Sequence, residues 1–104
     1  MKITAYMLAF GEDVPIPERT IEIPTEKVPS GWDADTDGRD QLLGEAYYYG
    51  QNDFQPRRIR SLSAGDVVKL NDGSLHRVRG CGWEKLPEDT NITKLERGIH
   101  CSLL

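Results

Sequence analysis

Ser61-Leu62-Ser63-Ala64-Gly65-Asp66-Val67-Val68-Lys69-Leu70-Asn71-Asp72-Gly73-Ser74-Leu75-His76-Arg77-Val78-Arg79 decides the fold. Val67, Val68 and Leu70 begin a β run, with strand 66–70 expected. Asn71-Asp72-Gly73 is a turn signal, and residues 75–79 form the return strand. Ser61 or Ser63 can bond the turn backbone before the hairpin. Gly65 permits the bend, and Asp66 can accept from nearby amides. The parity of the return strand is imperfect. Leu75 and Val78 are three apart, so they share a face only across a bulge.

Working outward, Gly80 and Gly82 flank Cys81 and precede a further strand at 82–86. Upstream, residues 2–9 and 20–23 read as strands, the second stopped by Pro24. Between them and the hairpin the period changes to 3.6. Leu42, Leu43, Ala46 and Tyr47 share one helical side, which predicts a helix over 40–49. Asp37 or Asp40 is the expected N-cap, and Gly50 the expected left-handed C-terminal residue. A short helix over 90–97, with Ile92 and Leu95 inward, and a last strand at 99–103 are further expectations. The whole chain, 1–104, reads as a single small α+β domain. A small antiparallel sheet of four to five strands packs against one main helix. The expected core is Ile3, Leu8, Leu42, Leu43, Ala46, Val68, Leu70, Val78 and Trp83.

Composition narrows the function. The 104 residues are 38% hydrophobic, with no apolar run near eighteen residues, so no membrane span is expected. The start, MKITAYMLAF, has one lysine and an apolar run broken by Thr4 and Tyr6, unlike a signal peptide. The chain is therefore expected to stay in the compartment where it is made. Cys81 and Cys101 do not make a disulfide framework; both are expected as free thiols in a reducing cytosol, with a single bridge the other possibility.

The net charge of −4 hides a split. Residues 1–55 hold eleven acids against four bases, and residues 56–79 hold six bases against two acids. Such asymmetry points to a polar partner surface or to pairing between the halves. The acidic half contains Asp33-Ala34-Asp35-Thr36-Asp37-Gly38, which opens like an EF-hand calcium loop. The match then fails: Gly44 stands where the bidentate Glu belongs, Asp40 stands at an apolar position, and no helix enters the loop. The better reading is an acidic solvated loop whose last aspartate caps a helix.

Other chemistry is weaker. His76, Cys81, His100 and Cys101 are a zinc-like set, but adjacent His100 and Cys101 point apart on a strand. Nothing places a base beside Cys81 to make it a nucleophile. No paired-carboxylate motif or phosphate-cradling glycine loop occurs, so neither an enzyme nor a cofactor is expected. Arg57, Arg58, Arg60, Arg77 and Arg79 would form a basic patch if they converged, which gives nucleic acid as an alternative partner. Of Tyr47, Tyr48 and Tyr49, successive positions 100° apart, one or two must be exposed, and Tyr48 and Tyr49 are candidate interface anchors.

The middle of the chain resembles a known family. AYYYGQNDF, followed by Ser61-Leu62-Ser63-Ala64-Gly65-Asp66-Val67-Val68 and the Gly82-Trp83 pair, is similar to the YodL-like domain of small phage and mobile-element proteins. The resemblance covers residues 41–86. It implies a genomic setting, and with it the cytoplasm of a bacterial host, and carries no catalytic residue. A small acidic protein in that setting is expected to bind a host protein with a basic surface, as anti-CRISPR and anti-restriction inhibitors do. The residues expected to carry this are Asp33, Asp35, Asp37 and Asp40, with Tyr48, Tyr49, Arg57, Arg58 and Arg60 as further contacts. A nucleic-acid-binding accessory protein and a calcium-binding protein are the alternatives.

Overall fold

In the computed structural model, which describes residues 1–8, 18–51, 62–80 and 82–95, the expected hairpin forms between β3 (Val67–Lys69) and β4 (Leu75–Arg79). Gly65, at φ +106, makes the bend before it, and the Asp66 carboxylate accepts from the Ser63 amide at 2.9 Å. Gly73, at φ +90, sits in the turn. β5 (Gly82–Leu86) pairs with β4, while β1 (Lys2–Tyr6) pairs with β3 on one side and with β2 (Glu18–Glu22) on the other. The result is a five-stranded antiparallel sheet in the order β2-β1-β3-β4-β5. One main helix, α1 (Thr36–Tyr49), packs against it, an α+β fold.

The parity problem disappears because both faces of the sheet bury apolar side chains. On the α1 side, Ile3, Ala5, Ile21, Val68, Leu70 and Val78 join Leu42, Leu43 and Ala46 in one cluster. On the opposite side Leu8, Val67, Leu75 and Leu86 form another, with Tyr6, Ile92 and Leu95 against it. Leu75 and Val78 therefore belong to different clusters. The β4–β5 register runs unbroken from Leu75↔Leu86 to Arg79↔Gly82, with no bulge. Each fully buried aliphatic side chain contributes about 1.5–3 kcal/mol. Trp83, expected in the core, is half-buried and lies against the α1-side cluster.

Several boundaries move. The first strand ends at Tyr6 and the second spans 18–22. The helix begins at Thr36, four residues before the expected start, and Asp35 is its N-cap, not Asp37 or Asp40. Gly50 does end the helix, but in right-handed geometry (φ −78, ψ −3), with its amide bonded to the Ala46 carbonyl. It is needed for room, since a Cβ there would stand 2.9 Å from the Ala46 oxygen and 3.1 Å from Leu62 Cβ. Of the expected 90–97 helix, the described residues 90–95 form only a short 3₁₀ turn, Ile92–Lys94, with the Asn91 side chain accepting from the Thr93 amide. The expected strand at 99–103 lies outside the described residues.

Candidate functional site: the acidic start of α1

The approach to α1 is built from short-range bonds. Gly31, at φ +73, turns the chain, and its carbonyl accepts from the amides of Ala34 and Asp35. Asp35 then adopts extended geometry and its carboxylate accepts from the Asp37 amide at 3.3 Å. Asp33, Asp35, Asp37 and Asp40 are all exposed. They cluster at the positive end of the helix dipole, where a carboxylate gains about 0.3–1 kcal/mol. The segment is thus a helix start and does not have the conformation of an EF-hand loop. Residues 36–44, which an EF-hand would spread around a cation, are helical here. Among the described residues no group of three or more His, Cys, Asp or Glu is arranged to hold a metal.

Arg39 anchors this end to the hairpin. Its Nη2 donates to the Asp33 carbonyl and to Asp72 Oδ2, both at 2.8 Å, and its guanidinium lies 5.9 Å from the Trp32 ring centroid. Asp72 Oδ1 accepts from the Ser74 amide at 3.0 Å and from the Ser74 hydroxyl at 2.6 Å. Ser74 Oγ in turn lies 3.0 Å from His76 Nε2. Because the hydroxyl proton goes to Asp72, Ser74 Oγ accepts from His76, which fixes the Nε2–H tautomer. Burial pushes the His76 pKa below its ordinary value of 6.5, and the nearby Arg39 and Lys85 cations push it further down. For Asp72, burial acts upward, but the Ser74 bonds and the Arg39 charge outweigh it and hold the carboxyl below its usual 3.8. In a nucleophilic triad the histidine stands between serine and carboxylate. Here a buried serine stands between them, already donating to the carboxylate, which makes a bracing chain.

A cleft of about 350 Å³ opens above this chain, with Asp33, Asp35 and Asp40 on one side and His76, Trp83 and Lys85 on the other. Trp83, Lys85 and His76 were missed as site residues. The signal was the alternation on β5: Trp83 pairs with Val78 and Lys85 with His76, which puts all four on the α1 side of the sheet.

Of the other expected contacts, Tyr48 and Tyr49 do not join this patch. Tyr48 is exposed and stands edge-to-face on Tyr49, with ring centroids 5.0 Å apart. Both sit at the far end of α1, roughly 20 Å along the axis from its start. Arg77 is buried and donates through Nε to the Gly65 carbonyl at 3.0 Å, while Arg79 bonds the Glu84 carboxylate. Arg77 is thus held inside the fold, while Arg79 is partly exposed, is paired with Glu84 and borders a cavity with Gly44 and Tyr47 of α1; the two do not form a common displayed patch. Arg57, Arg58 and Arg60 lie outside the described residues, as do Cys81, His100 and Cys101 of the zinc-like set. No helix among the described residues is long and apolar enough to cross a membrane.

Comparison with known proteins adds no relative: no family model, curated protein or solved structure matches the chain. The likeness to the YodL-like domain rests on the residues quoted above.

Proposed function

We propose that this is a non-enzymatic accessory protein of a phage or mobile element that acts in the bacterial cytoplasm. It binds a host protein through the acidic start of α1, in the manner of an anti-CRISPR or anti-restriction inhibitor. One observation carries the reading. Four exposed carboxylates within eight residues are displayed from a capped helix end that Arg39 ties to the hairpin. A preordered acidic surface loses little entropy on docking, and its field steers a basic partner toward it. A basic groove built for nucleic acid is the natural complement. The YodL-like resemblance supplies the genomic setting.

The test is retention of host proteins from nuclease-treated lysate by the tagged protein, read by mass spectrometry. A control carries Asp33→Asn, Asp35→Ser, Asp37→Asn and Asp40→Asn. A stoichiometric protein partner should bind the parent, leave at raised salt and fail to bind the control. Equal retention by both would overturn the reading.

A further inference from the structure

The acidic cleft continues past Trp83. The same indole lines a second cavity of about 410 Å³, whose other walls include Gly44, Tyr47, Ala64 and Val78. On the helix, Thr36, Asp40 and Leu43 border the first cavity, and Gly44 and Tyr47 the second. At 3.6 residues per turn these positions follow one side of α1. Opposite them runs β5, the outer strand of the sheet among the described residues. The two cavities adjoin at Trp83 and together line a groove between α1 and β5, with carboxylates at one end and Tyr47, Trp83 and the Glu84-paired Arg79 at the other.

Gly44 gives the groove its meaning. It lies inside a fourteen-residue helix, where glycine costs about 1 kcal/mol relative to alanine. Gly38 and Gly50 repay that cost in packing: a Cβ on Gly38 would stand 3.1 Å from Trp32 Cα, and one on Gly50 would strike Ala46. A Cβ on Gly44 would meet nothing within 4 Å. Nothing among the described residues fills the space of the missing side chain; its effect is to leave the groove wall bare, where another chain can approach closely.

We propose that this groove receives an extended or helical segment of a partner protein. The segment carries a Lys or Arg side chain for the acidic end and, a few residues along, a large apolar or aromatic side chain for the Tyr47–Trp83 slot. Charge complementarity selects this occupant. Three aspartates border the first cavity, and of the two cations there Arg39 is already bonded to Asp72. The slot offers the half-exposed ring of Tyr47 (42%) beside the indole, a setting in which aromatic anchors dominate binding. A phosphate backbone would meet repulsion at the acidic end. The inference rests on the reading above and gives that partner its chemistry.

The test uses a displayed library of random dodecapeptides selected on the immobilised full chain alone, with the enriched peptides then measured against the parent and against Gly44→Leu. A Cβ at 44 meets nothing within 4 Å and leucine improves helix propensity, so this variant should melt no lower than the parent. Selected peptides should pair a Lys or Arg with a large apolar residue, bind the parent at least tenfold tighter than Gly44→Leu, and weaken at least tenfold against Asp33→Asn/Asp40→Asn. Absence of enrichment, enrichment of sequences lacking basic residues, or equal binding to Gly44→Leu would each overturn the proposal. The two readings fail separately. Loss of the lysate partner on the aspartate variants, with peptides indifferent to Gly44→Leu, keeps the acidic interface and removes the groove. Peptides blocked by Gly44→Leu but indifferent to the aspartates remove the cationic occupant.

Discussion

Three glycines, at 38, 44 and 50, look alike in the sequence and differ in what surrounds them. Gly44→Ala adds a methyl that touches nothing and removes backbone freedom from the unfolded chain, so it should raise stability by about 0.5–1 kcal/mol. Gly50→Ala forces a Cβ against the Ala46 carbonyl, Leu62 and the Ile21 terminus, an overpacking that costs about 1–3 kcal/mol. Urea melts of the two variants should therefore move in opposite directions from the parent; a matching direction would remove the distinction drawn between them. Gly50 was legible as a helix end, because a glycine after an apolar period is a stop signal. Its reason was not, since steric room depends on Leu62 and Ile21, which only tertiary packing brings near. Gly44 carried no signal at all, because an open groove leaves no trace in a helical period.

At the scale of elements, the sequence was most readable where apolar periodicity was strongest. Leu42, Leu43 and Ala46 defined the body of α1, and the paired β runs around Asn71-Asp72-Gly73 defined the hairpin. The first turn of α1 was invisible by that criterion. Thr36 to Gln41 contains no large apolar residue, and the alternating aspartates offered several equivalent caps. Only the turn at Gly31 and the packing of Gly38 on Trp32 select Asp35. Asp35→Ala should consequently lower stability by about 1 kcal/mol, whereas Asp35→Ser keeps an oxygen for the Asp37 amide and should stay within a few tenths of the parent. Thermal melts of the pair separate capping from charge; an equal loss in both would assign the effect to the carboxylate alone. In β4, the expectation of a bulge assumed one buried face. The sheet buries residues on both, so Leu75 and Val78 satisfy ordinary alternation from opposite sides.

Over the whole molecule the acidic and basic halves of the sequence are stitched together in an unexpected sense. Arg39, a base of the acidic half, bonds Asp72, an acid of the basic half, and the chain continues through Ser74 to the buried His76. The charge split was legible; the identity of this cross-tie was not, because it needs the hairpin turn brought to the helix start. The tie makes stability depend on pH in a definite direction. His76 is packed among Arg39, Lys85, Asp72 and Asp40, and its net shift is downward from 6.5. As pH falls below about that value the unfolded chain takes up a proton that the folded chain resists. Stability is therefore complete above 6.5 and declines on acidification until the folded histidine also titrates. Asp72, held below 3.8, adds a second acid-side loss as pH drops through that value. Between pH 7.5 and 5.5 the histidine contribution should stand apart from the carboxylates, with a slope of at most about 1.4 kcal/mol per pH unit for one proton. His76→Gln keeps an N–H donor for Ser74 without a titrating ring. Its denaturation midpoint should be flatter than the parent's across that interval, while both proteins lose stability below pH 4. Parallel profiles between pH 7.5 and 5.5 would mean that His76 binds its proton equally well folded and unfolded, and that the bracing chain does not sense pH.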